Sequence, residues 1–180
     1  MRRYNFLAYL LAFFLLASKA TSAEREGMWD PLRFLIGDWE AKTKSGEAKG
    51  QFTFSFDLQK NIVVRRNHAE YPAASGRAAS MHDDLMIIYR EGVPSILHAI
   101  YFDVEDHVIH YAVQTTPDAK VMFVSEAIPD APRYRLSYER LPDGNLHGKF
   151  EIAPPGKPES FSKYLEWEAQ RPAEGKGQRP

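Results

Sequence analysis

From Asp38 to Gln170 apolar and polar residues alternate with a period of two, interrupted at short intervals by turn residues. Trp39, Ala41 and Thr43 alternate with Asp38, Glu40, Lys42 and Lys44; Phe52, Phe54 and Phe56 alternate with Gln51, Thr53, Ser55 and Asp57. A strand of this kind buries one face and wets the other, which is the habit of antiparallel sheet. Further strands are expected over 62–70, 84–90, 95–103, 107–115, 121–127, 133–140, 146–153 and 161–170, about ten in all. An open sheet of that size leaves two unpaired edges, and closing it removes both. The pattern therefore predicts an all-β, closed up-and-down antiparallel barrel, with a β-sandwich as the alternative.

Ahead of the strands lies Asp30-Pro31-Leu32-Arg33-Phe34-Leu35-Ile36-Gly37. Asp30 is a good N-cap, Pro31 suits a first helical position, and Gly37 can take the left-handed conformation that ends a helix. One or two helical turns presenting Leu32, Leu35 and Ile36 would plug one end of the barrel.

Two hairpins allow register to be argued. Pro142-Asp143-Gly144 reads as a three-residue loop with glycine at its left-handed position. Pairing Leu141 with Asn145 sets Tyr138 opposite Gly148, Leu136 opposite Phe150 and Tyr134 opposite Ile152, so the apolar faces coincide. By the same logic Gln59-Lys60-Asn61 joins Leu58 to Ile62, which sets Val64 opposite Phe56, Arg66 opposite Phe54 and His68 opposite Phe52. A one-residue slip would instead turn Arg65 and Asn67 inward. In the preferred register Arg66 and His68 share the inner face with Phe52, Phe54 and Phe56. A buried arginine needs an acid, water or an anionic ligand group, so Arg66 and His68 become the expected polar recognition end. Tyr101, Tyr111, Tyr134 and Tyr138 fall on inner faces and would wall a pocket or fill a core. The Gly/Ala/Ser-rich stretch 71–80 reads as a loop at a barrel mouth, and 153–160, with three prolines and a glycine, as a second irregular connection.

The first 23 residues read as a signal peptide: Arg2 and Arg3 precede the apolar run 6–17, and Thr21-Ser22-Ala23 offers a cleavage site. That predicts export, to the periplasm or beyond, with no stable membrane insertion after cleavage. Removing them takes away Arg2, Arg3 and Lys19, so 23 basic and 24 acidic residues become 20 and 24. A net charge of −4 without a basic stripe argues against nucleic acid as a partner. The barrel domain is expected over 24–171, with a disordered tail over 172–180.

The chain has no cysteine, which excludes disulfides, thiolate metal sites and a thiol nucleophile. It also lacks a Gly-x-Ser-x-Gly elbow, a phosphate-cradling loop, a His-Glu-x-x-His helix and a dinucleotide fingerprint. The strings His82-Asp83-Asp84 and Asp103-Val104-Glu105-Asp106 read as solvated turns, so no metal site is expected. The sequence thus points to a small-molecule-binding barrel. A non-covalent acid/base enzyme built on His68, or a structural envelope protein, are the alternatives.

The run Phe34-Leu35-Ile36-Gly37-Asp38-Trp39-Glu40, followed by about ten strands, resembles lipocalin-like (calycin) barrels. It looks like the bacterial lipocalin-like families of unknown function and, more distantly, the nitrobindin-type haem-binding barrels. The resemblance implies that Trp39 of the Gly37-x-Trp39 motif packs at the closed end beneath an arginine following the last strand, for which Arg171 is the candidate. It also implies a cup for a small hydrophobic or amphipathic molecule. The nitrobindin group ligates haem through a histidine on its C-terminal strand. That strand reads Phe161-Ser162-Lys163-Tyr164-Leu165-Glu166-Trp167-Glu168 here, so haem ligation of that kind is not expected and the cofactor stays open.

Overall fold

The computed structural model describes residues 27, 29–43, 48–92 and 96–173; the expected signal peptide lies outside the described residues, as does most of the expected tail. Ten strands follow a short 3-10 helix, Asp30–Leu35: β1 (Gly37–Ala41), β2 (Lys49–Asp57), β3 (Ile62–Tyr71), β4 (Ser80–Glu91), β5 (Ile96–Asp103), β6 (Val108–Thr116), β7 (Lys120–Ser125), β8 (Arg133–Arg140), β9 (Leu146–Ala153) and β10 (Ser162–Gln170). Each pairs antiparallel with its chain neighbours, and β1 pairs with β10, so the sheet closes on itself. The barrel has no free edge, which is how a chain of strands avoids templating its own aggregation.

The 3-10 helix seals one end. Its buried Leu32 and Leu35, with Trp29 just before it, face the core, and it packs against β6 and β7. Removing each of these side chains from water contributes roughly 2 kcal/mol. Trp29, not Asp30, occupies the N-cap position, and no side chain caps this end; the indole of Trp29 instead donates to the carbonyl of Lys60 at 2.9 Å. Gly37 lies just beyond the helix as the first residue of β1, at φ +116°. An added Cβ there would collide with the Arg171 guanidinium. That guanidinium lies 3.7 Å from the centre of the Trp39 ring and donates to the carbonyls of Ile36 (2.8 Å) and Asp38 (3.2 Å). Trp39 in turn donates to the carbonyl of Leu35 at 2.7 Å. Plug, first strand and the residue that follows the last strand are thus clasped around one indole.

Above the plug the lower barrel is filled with rings. Trp39, Phe52, Phe54, Phe123 and Tyr138 are buried, and Tyr138 meets Phe52, Phe54, Phe123 and Trp167 at centroid distances of 5.5 to 6.5 Å. Mostly edge-on, these contacts suit ring quadrupoles. Gly148 leaves the space that the Trp167 indole occupies; a Cβ there would come within 2.2 Å of the ring.

The β8–β9 hairpin has the expected register, with Tyr138 opposite Gly148, Leu136 opposite Phe150 and Tyr134 opposite Ile152. The β2–β3 hairpin does not. Asp57 pairs with Ile62, so the loop has four residues, and Phe54 faces Arg65, Thr53 faces Arg66 and Gln51 faces His68. Leu58, Gln59 and Lys60 all take positive φ (46°, 56° and 64°), an uncommon conformation for residues with a Cβ. The Trp29 hydrogen bond holds this loop from the plug side. One extra loop residue turns every side chain of β3 to the other face.

Candidate functional site

The corrected register moves Arg66 and His68 to the outer wall. Arg66 is exposed. His68 is half-buried, its ring held between Asp83 (Nδ1 to Oδ1, 2.6 Å) and Glu70 (Nε2 to Oε1, 3.4 Å). These hydrogen bonds, Asp83 first, raise its pKa above the ordinary histidine value. It borders an outer cleft of about 680 Å³ over β1 to β3 that also includes Glu40, Lys49 and Gln170. A second outer cleft, of about 730 Å³, lies under the plug beside Phe34 and Arg140.

Arg65 and Asn67 take the inner positions. Arg65 is 5% exposed and reaches across the barrel, its guanidinium carbon 5.6 Å from the Phe52 ring centre and 6.0 Å from that of Tyr138. Its Nη1 donates to Asp84 of β4, whose side chain is 4% exposed. The amide of Asn67 donates to the other oxygen of Asp84 at 2.9 Å. An isolated buried cation would be prohibitive; paired with Asp84 and stacked on rings it forms a deck over the aromatic core. The pairing is incomplete, because Arg65 Nε and the Tyr138 hydroxyl are buried without a hydrogen-bond partner. Burial pushes the Tyr138 hydroxyl pKa up to about 12.

On the side of the deck away from the plug, the strands end in polar groups. His82 of β4 meets Asp84 (Nε2 to Oδ2, 3.3 Å), the Tyr101 hydroxyl (3.1 Å) and Glu105 (Nδ1 to Oε2, 2.9 Å). The hydrogen bond to Asp84 is the largest influence on the ring; with the help of Glu105 and against burial, it raises the His82 pKa to about 9. Tyr101 also donates to Asp103 at 3.2 Å. Burial raises the tyrosine's pKa well above its usual range, and the charges of Asp84 and Asp103 add to this. Asp103 further accepts the backbone N–H groups of Glu105 and His107, both at 3.0 Å, and the His107 ring at 2.8 Å. Register explains the assembly: Asn67 pairs with Asp84 and Asp84 with Asp103 across three strands.

The expected tyrosines divide between the two halves. Tyr111 and Tyr138 are buried core, while Tyr101 and Tyr134 are half-buried near the open end. Tyr134 stacks face to face on Phe150 at 6.0 Å, and Tyr164, at a bulge in β10, meets Phe150 edge-on. Phe52 and Phe54 are buried beneath the deck and Phe56 lies against Trp29 at the plug. Arg65 and Asn67 were expected inside only in the slipped register, which is the one the hairpin adopts, and sequence reasoning missed His82 and Asp84 as inner residues. A signal existed: Asp84 shares its phase with apolar Met86 and Ile88, and a carboxylate on an inner face calls for a cation on the next strand.

No protein-family model and none of the curated proteins matches this sequence. The closed ten-stranded antiparallel barrel is compatible with a lipocalin-like fold.

Proposed function

We propose that this protein is an exported, lipocalin-like carrier that holds a small hydrophobic or amphipathic molecule at the open end of its barrel. The observation that carries the reading is the buried Arg65–Asp84 deck, in which Arg65 Nε and the Tyr138 hydroxyl lie buried without a hydrogen bond of good geometry, beside the half-buried Tyr101, Tyr134 and Phe150. A packed core gains little from such a deck, since a buried ion pair rarely stabilises more than apolar residues of the same volume. A ligand site does gain: few polar groups fix orientation while rings supply contact area. Tyr101, Tyr134 and Phe150 would form the wall, and the deck with Asn67 the floor. Arg66 and His68 have no part in this site, so the enzyme alternative loses the histidine on which it was built.

Native mass spectrometry of the purified protein tests the reading. The expected result is a co-purified small molecule, or saturable uptake of 1-anilinonaphthalene-8-sulfonate, weakened about tenfold or more in Tyr134→Ala and Phe150→Ala and unchanged in Arg66→Ala. Protein that carries nothing and takes up no dye, or binding lost in Arg66→Ala alone, would overturn it.

A further inference from the structure

We propose that His82, Asp103 and Glu105 form a binding site for one divalent transition-metal ion, zinc above all, at the lip of the barrel mouth. The two strings read from the sequence as separate solvated turns are brought together by the fold. Asp84 and Asp103 are register partners, and the Val104 N–H donates to the Asp83 carbonyl at 3.2 Å, carrying the β4–β5 pairing past the strand end. That extension sets Glu105 beside His82. One donor atom from each of the three residues lies within 4.8 Å of the other two. Around one ion, with bonds of about 2.0–2.2 Å, such atoms sit roughly 3–4 Å apart. The Glu105 side chain, 47% exposed, has the freedom to close the difference.

What surrounds the three residues orients them as ligands. A metal-binding histidine commonly donates its second ring N–H to a carboxylate, which fixes ring and tautomer. Here Nε2 of His82 faces Asp84, itself held by Arg65 and Asn67, and Nδ1 faces Glu105. The Asp103 carboxylate, 5% exposed, is held by two backbone N–H groups and the Tyr101 hydroxyl. The His107 ring also lies on it, from the solvent side, at 58% exposure. An imidazole nitrogen with two carboxylates selects a borderline ion such as zinc over calcium or magnesium, which favour oxygen alone. With three protein ligands the fourth position opens to solvent. The site borders the cup and shares Tyr101 with its proposed wall.

Calorimetric titration of chelator-treated protein with zinc chloride tests this. One ion per chain is expected, with no saturable heat from calcium chloride. Cobalt(II) chloride should give visible absorption bands at the same stoichiometry. Glu105→Gln and His82→Gln should each weaken zinc by roughly tenfold or more, whereas Glu159→Gln, an exposed acid paired with Arg133, should not. Glu105 is too exposed for its substitution to threaten the fold, so that variant decides. No saturable zinc binding, or affinity unchanged in Glu105→Gln, would overturn the proposal.

Discussion

The two halves of the barrel interior are made by the same ten strands and the same alternation, yet they solve opposite problems. Towards the plug the inner positions hold Trp39, Phe52, Phe54, Phe123 and Tyr138, packed ring on ring and shut off by Trp29, Leu32 and Leu35. Towards the mouth they hold Asn67, Asp84, His82, Tyr101 and Asp103, joined by ion pairs and hydrogen bonds and in part open to water. The change comes within one pleat of β3, between Val63 and Arg65, and within one pleat of β4, between Met86 and Asp84. Apolar filling stabilises without direction, whereas a charged deck needs particular partners at particular angles. The first half supplies the fold, and in the proposed function the second supplies the specificity.

That division can be broken most sharply at the deck. Removing one member of the pair, as in Asp84→Ala, leaves Arg65 charged and buried and should cost about 3–5 kcal/mol in a denaturant titration. The double variant Arg65→Met with Asp84→Leu should recover most of that loss, while dye uptake should be lost in both variants. Stability unrecovered in the double variant would mean that the deck is structural glue. A smaller effect is expected in the closed half: Gly148→Ala presses a methyl into the Trp167 indole and should cost about 1–3 kcal/mol by overpacking, with dye affinity unchanged. Smallest of all, Tyr138→Phe removes a buried hydroxyl without a partner. Its stability should hold or rise by up to about 1 kcal/mol, and a fall in the melting temperature would show that the hydroxyl is satisfied after all.

The closed half was the legible one. Phe52, Phe54 and Phe56 announce their face by strict alternation, and Pro142-Asp143-Gly144 fixes its hairpin because glycine sits where the turn needs φ +85°. The open half was not, and the cause is local. Val63-Val64-Arg65-Arg66 repeats each residue type in both phases of the strand, so hydrophobicity cannot choose between the registers. Both valines are in fact buried. The choice is made by the loop at Leu58, Gln59 and Lys60, three residues in a left-handed conformation that their identities do not advertise. From that single residue of slip follow the exchange of Arg66 for Arg65 and of His68 for Asn67. The acid strings at His82 and Asp103 were visible, but their meeting is a property of β4–β5 pairing that neither string reveals alone.

The central claim, that the plugged half is sealed and the far half receives a guest, is tested most directly by amide chemical-shift mapping during titration with 1-anilinonaphthalene-8-sulfonate. Shifts gathered on Asn67, Tyr101, Tyr134 and Phe150, with Trp39, Phe54 and Gly148 unmoved, are the predicted result. Shifts centred on the plug or on the outer wall around Arg66 and His68 would contradict it.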